Sequence, residues 1–377
     1  MRAPRSTRLA AVLVTAALAL TACGTDGADD ATTGDTDPAA NPADGDDEAG
    51  DPTAHDDGAA TDADGADAGD AAGDDAAASF PVEIEHAFGS TEITEEPARV
   101  VTWGWGSTEA AIAVGVYPVA MTEQVWTVGE GGQLPWIEEA VEDAGEESPT
   151  LLTDDFTAPP YEEIIAQEPD LIVAAYSGIT EEQYELLSEI APTVAYPEGP
   201  WATPWRDVID ITARALGREE AGQQVLADID AFFSEQAEAH PEFAGQTVAN
   251  VWDGDGQMSV YTSLDPRAAM LTELGFEIAP AVDELDTDTT ETNFYYDLSY
   301  EQLDRLESDV VVSYHSTPDE ADAFLTKADV QAIPAVAEGN VAQVVGNEYV
   351  SSVSPPTALS VYWGMPDLIE SLSAALD

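Results

Sequence analysis

One thirteen-residue pattern occurs twice in this chain. The segment YEEIIAQEPDLIV, beginning at Tyr161, aligns without a gap to YEQLDRLESDVVV, beginning at Tyr300. Each copy reads as a short helix feeding a buried strand, because widely spaced apolar residues give way to an apolar run. Each strand leads to an aromatic residue (Tyr176; Tyr314), a small polar turn and an acidic helix start (Thr180-Glu181-Glu182; Pro318-Asp319-Glu320). A second correspondence lies upstream of each copy. Trp103 to Gly115 and Tyr261 to Gly275 both give a strand end, a loop, a capped helix and a closing glycine. Helix-to-strand units look alike in many α/β chains, but two matches in the same order point to two similar lobes. Alternating strands and helices predict α/β lobes built on mostly parallel sheets.

Between the copies the spacing predicts one long helix, Arg218 to His240. Ala221, Val225, Leu226, Ile229, Phe232 and Phe233 fall on one stripe, acids lie opposite, and Pro241 follows. Such a helix is about 33 Å long, enough to run along both lobes. The boundaries that follow are an N-terminal α/β lobe over 80–203, linking helices over 204–240 and a C-terminal α/β lobe over 241–377. Val82 to Ile93 reads as a short hairpin at the start of the first lobe. Two α/β lobes on one rigid helix leave a cleft walled by strand-end loops, and open α/β sheets place ligands at the carboxyl ends of their strands.

Residues 1–22 are a different kind of sequence. Arg2, Arg5 and Arg8 precede an uncharged apolar run from Leu9 to Leu20, a secretory signal too short for a spanning helix. Leu20-Thr21-Ala22-Cys23 resembles the lipobox of bacterial lipoproteins, which implies a palmitate-type anchor on Cys23 at the outer face of the cell membrane. The rival reading is an ordinary signal peptide cut near Ala22. Cys23 is the only cysteine, so no internal disulfide can form. The rest of 23–79 is almost entirely Asp, Ala, Gly, Thr and Pro, with 18 acidic residues, no aromatic residue and no Lys or Arg. It cannot bury enough apolar surface to offset ordering, and it reads as an extended acidic stalk. A cation-binding tail is the alternative.

The full chain carries a formal charge of −66. Without the signal-peptide arginines and the stalk acids, about −51 remains on Phe80 to Asp377, where Lys327 is the only lysine. That excludes nucleic acid and anionic membrane as electrostatic partners. Self-repulsion of this size is screened as ionic strength rises, as expected of a halophile-like surface.

Several motifs now fall in order: Pro97-Ala98-Arg99-Val100-Val101, Glu168-Pro169-Asp170-Leu171-Ile172-Val173, Ile190-Ala191-Pro192-Thr193-Val194 and Ala215-Leu216-Gly217-Arg218. Asp265-Pro266-Arg267, Leu274-Gly275-Phe276, Ile333-Pro334-Ala335-Val336 and Glu338-Gly339 continue them. In this order, over essentially all of Phe80 to Asp377, the chain resembles the substrate-binding proteins of ABC importers for iron–siderophore complexes, haem and cobalamin, the hairpin being most like the siderophore branch. The resemblance implies the class III periplasmic-binding-protein fold. It also implies a monomer that captures an Fe(III)–siderophore chelate and hands it to an ABC permease, with no cofactor and no chemistry on the ligand.

Strand-end loops offer Trp103, Trp105, Trp126, Tyr176, Tyr261, Tyr314 and His315 as ligand-binding residues, with Arg267 beside the second-lobe loop. Aromatic faces suit a bulky chelate, and a cation can fix a chelate oxygen. The structural alternative is that such aromatics cap the core and Arg267 pairs with an acid, while Arg99 reads as structural. Family members meet permease arginines with one carboxylate per lobe, which the repeat assigns to Glu181 or Glu182 and to Asp319 or Glu320; acids also favour helix starts for the dipole alone. No Gly-x-Ser-x-Gly, phosphate loop or His-Glu-x-x-His is present, so the enzyme readings have no motif to rest on. The four histidines are His55, His86, His240 and His315, too few for the usual bare-metal carrier, although carboxylates alone can hold a hard cation. Haem with a Tyr or His315 axial group, then cobalamin, are the alternative ligands, and a surface adhesion or signalling module is a third class.

Overall fold

The computed structural model describes residues 80–125, 132–154, 157–254, 256–287 and 293–377. The signal peptide, Cys23, the acidic segment and Trp126 lie outside them.

The chain enters on a hairpin, β1 (Val82–His86) and β2 (Gly89–Ile93), paired antiparallel from Val82↔Ile93 to His86↔Gly89. The two-residue period of a strand puts Ile84, His86, Thr91 and Ile93 inward and Glu83, Glu85, Ser90 and Glu92 outward. The first lobe follows, with β3 (Val100–Thr102), β4 (Ala120–Thr122), β5 (Thr150–Leu152), β6 (Leu171–Val173) and β7 (Thr193–Val194) in the order β5-β4-β3-β6-β7. All its pairs are parallel. Its central strands are buried along their whole length, which is why they read as apolar runs rather than alternations.

The second lobe holds β8 (Thr247–Gly254), β9 (Gln257–Tyr261), β10 (Glu277–Ile278), β11 (Tyr295–Leu298), β12 (Val310–His315) and β13 (Val341–Val345). Its order is β11-β9-β8-β12-β13, with β10 beside the start of β8. The expectation of a mostly parallel sheet holds here with one reversed strand, β9. β8, β12 and β13 are parallel, but β9 runs antiparallel to β8 and β11 antiparallel to β9.

The repeated segments occupy equivalent places. A helix at Tyr161–Ala166 feeds β6, between β3 and β7, and a 3-10 helix at Tyr300–Arg305 feeds β12, between β8 and β13. Two helices, Trp205–Ala215 and Glu219–Ala239, carry the chain from one sheet to the other. They approach so closely that a Cβ on Gly222 would lie 2.4 Å from that of Ala213, so only glycine fits. Ile229 and Phe233 are buried on the longer helix, and Val225 packs against the cores of both lobes. Beneath the cleft the lobes share one cluster, in which Ala110 and Ile209 meet Val353, Ala358 and Val361. On the far side of the second lobe Lys327 ends the helix Pro318–Thr326. Its ammonium donates to both oxygens of Asp253 at 2.9 Å and lies 2.6 Å from the Tyr300 hydroxyl.

Candidate functional site

A cavity of about 580 Å³ opens between the lobes. The first lobe gives it Tyr176, just beyond β6. The connector gives it Trp201 to Arg206, and the second lobe gives Tyr261, Asp265, Arg267 and the rim residues Leu264, Phe294 and Tyr295. A void of about 20 Å³ adjoins it, where Trp105 Nε1 donates to the Pro355 carbonyl across the two lobes at 3.2 Å.

Arg267 is the centre of the second-lobe wall. Asp265 caps the helix Pro266–Glu273, its Oδ1 accepting from the Arg267 backbone N–H at 2.8 Å. The same carboxylate takes Arg267 Nε at 2.7 Å and Nη2 at 3.0 Å, a two-pronged pair. The guanidinium lies 3.8 Å from the centre of the Tyr261 ring. Burial opposes its charge, but Asp265 and Tyr261 more than offset that, and its pKa sits above the ordinary value. Burial, and then the nearby Asp265 carboxylate, raises the Tyr176 phenol, which therefore stays a neutral hydroxyl. A second cation, Arg206, reaches both oxygens of Glu273 at 3.0 and 2.7 Å and Asp230 at 3.2 Å, with its guanidinium 4.3 Å from the Trp205 ring centre.

Of the residues singled out in the sequence, Tyr176, Tyr261 and Arg267 come together in the cavity, and Trp105 lines the adjoining void. Three others lie behind the walls. Trp103 is buried in the first-lobe core, its backbone N–H continuing the β3–β6 ladder to Val173. Tyr314 and His315 are inside β12, paired to Val344 and Val345 of β13. The cause is strand length: β6 stops at Val173, whereas β12 runs three residues past the matching Val312. The Tyr314 hydroxyl donates to Asn250 at 3.1 Å, and the His315 ring meets Ser313 and the edge of Phe324. Burial lowers the His315 pKa. Trp126 lies outside the described residues.

Trp201, Trp205 and Tyr295 were not anticipated. The proline-bracketed run Pro200-Trp201-Ala202-Thr203-Pro204-Trp205 is the one sequence signal for the two tryptophans, large aromatics in a segment too short to bury them, and Tyr295 has none. The acids assigned to docking are exposed in the first turns of helices Glu181–Ser188 and Pro318–Thr326. The two starts match: Thr180 caps the Gln183 N–H at 3.3 Å, and Thr317 caps that of Glu320 at 3.3 Å. Among the described residues no three His, Cys, Asp or Glu side chains are placed to hold a metal ion, and no helix is long and apolar enough to cross a membrane.

Two α/β lobes, a helical link between them and a cleft with aromatic residues at their strand ends define a two-lobed solute-binding protein. Residues 100–345 match the family described as periplasmic binding protein, and the chain belongs to that family, a class of substrate binders rather than enzymes. The probable siderophore-binding lipoprotein YfiY of Bacillus subtilis (strain 168) is 29% identical over 197 residues, 52% of this chain and 56% of that protein. The chain thus matches little more than half the length of that relative. Among solved structures, PiaA of Streptococcus pneumoniae TIGR4 in complex with ferrichrome is 33% identical, with a TM-score of 0.69 over 78% of this chain and 98% of that one. A periplasmic solute binding protein from Mycobacterium smegmatis str. MC2 155 is 27% identical, with a TM-score of 0.67 over 79% and 99% of the two chains.

Proposed function

We propose that this protein captures a ferric siderophore in the interlobe cleft and delivers it, chemically unchanged, to an ABC-type import permease. The observation that carries the reading is the cleft itself. Its volume suits a ligand of siderophore size, six aromatic side chains among the described residues line it, and one guanidinium is fixed over Tyr261. The names of YfiY and of ferrichrome-bound PiaA point the same way. Tyr176, Tyr261, Arg267 and Trp105 are the ligand-contacting residues of this reading, joined by Trp201, Trp205 and Tyr295. The protein works as a monomer held at the outer face of the membrane through acylated Cys23. Glu181 or Glu182 and Asp319 or Glu320 meet the permease, a role supported by their matched exposed positions.

Titration of the mature protein with ferrichrome should give saturable quenching of tryptophan fluorescence. Haemin should give no new Soret band, since His315 is buried within β12 and burial keeps the cavity phenols of Tyr176 and Tyr261 protonated, away from the tyrosinate that ligates haem iron. No quenching by any ferric chelate, with a Soret band on adding haemin, would replace this reading by a haem carrier.

A further inference from the structure

We propose that Asp265 sets the charge class of the ligand: by neutralising Arg267 it makes the cleft select an uncharged ferric tris-hydroxamate and reject trianionic tris-catecholates. The proposal rests on the siderophore reading and deepens it. Among the described residues only Arg206 and Arg267 bring positive charge to the cavity wall. Neither offers it unopposed, since Arg267 is gripped at two points by Asp265 and Arg206 by Glu273, with Asp230 beside it. Two guanidiniums therefore face three carboxylates. Asp265 is 2% exposed, so water screens this pair poorly.

Hydroxamates carry one negative charge each, and three of them cancel Fe(III). Catecholates carry two each, and three leave a trianion. Moving a trianion out of water is costly, and a wall without net positive charge returns little of that cost. An uncharged chelate avoids the penalty. It can still accept hydrogen bonds from the guanidinium N–H groups that Asp265 does not take, and it can stack on Tyr176, Trp201 and Tyr261. Arg267 acts here as a directional donor rather than as a charge.

The carboxylate can be neutralised without removing the cap, because asparagine caps helices as well as aspartate does. Fluorescence titrations would compare ferrichrome, an uncharged tris-hydroxamate, with a trianionic ferric tris-catecholate, on wild type and on Asp265→Asn. Wild type should prefer ferrichrome by ~100-fold or more, and Asp265→Asn should shrink that ratio by at least ~10-fold, mainly by tighter binding of the trianion. Equal or tighter binding of the tris-catecholate by wild type overturns the proposal, whatever the variant does. An unchanged ratio in a variant that melts like wild type also overturns it. Asp265→Ser, which keeps a capping oxygen, serves if the asparagine variant does not fold. Failure of wild type to bind either chelate would instead remove the siderophore reading, and this proposal with it.

Discussion

Trp201 is held in a left-handed backbone conformation, φ 57°, that a bulky residue adopts only when its surroundings force it. The Trp201 N–H bonds to the Ser177 carbonyl at 3.0 Å, and the ring meets Tyr176 edge-on at 5.5 Å. A Cβ on Gly178 would fall 2.3 Å from Nε1 of the Trp201 indole. Gly178→Ala should therefore swing the indole off the cleft rim and weaken chelate binding by roughly 10-fold. The melting temperature should change little, because the ring is 51% exposed. A loss of stability near ~3 kcal/mol would make the ring part of the core instead. Arg267→Ala should behave differently. It removes a ligand donor and also strands the buried Asp265 carboxylate, so binding should weaken and stability should fall by about 2–3 kcal/mol. Adding Asp265→Asn to Arg267→Ala should restore most of the stability but not the binding; thermal melts and titrations of the three variants separate the two effects. The sequence already pointed to Tyr176, Tyr261 and Arg267, because each lies at or just beyond a strand end. It did not indicate Trp201, whose place depends on how the connector doubles back over Gly178.

The hairpin of β1 and β2 is clasped to the first lobe through His86. Nδ1 of His86 accepts the Phe88 N–H at 3.2 Å, so that nitrogen carries no proton. Nε2 lies 3.0 Å from the Thr91 hydroxyl, which donates onward to the Thr193 carbonyl of β7, and 3.3 Å from the Tyr184 hydroxyl. This arrangement needs neutral imidazole, and burial lowers the pKa accordingly. The unfolded chain takes up the proton first, near pH 6.5, so the contribution to stability is complete above that value and declines as pH falls below it. His315, also lowered by burial, adds a change of the same sign. Melting temperatures between about pH 7.5 and pH 5 should fall more steeply for wild type than for His86→Gln. Parallel curves would mean that the hairpin stays clasped when His86 is charged. At this scale the repeat identified both central strands, since local helix-to-strand grammar is written into each copy. The reversed direction of β9 escaped it, because strand direction follows from the partner edge rather than from the residues within the strand. The extra length of β12 escaped it too, and took Tyr314 and His315 out of the cleft.

Across the whole molecule the two lobes present the same acidic helix start, and about −51 of formal charge surrounds them. Glu182→Lys combined with Glu320→Lys should leave chelate affinity intact, since neither residue lines the cavity, yet stop uptake by cells. Normal uptake by that pair would move the docking surface elsewhere. The two-lobed plan was legible because it is repetitive, whereas the joint beneath the cleft, where Trp105 reaches Pro355, is made once and leaves no pattern. The scarcity of positive charge has a further consequence at Lys327, the single lysine of the chain, whose ammonium is engaged by Asp253 and Tyr300. Burial works against its charge, but the bonds to Tyr300 and Asp253 prevail and raise its pKa, so little free base is present at neutral pH. Reagents that acylate lysine thus find one side chain per molecule, and a slow one. The rate at which it reacts becomes a clock for the opening of that corner of the second lobe, read with no other lysine to confuse it.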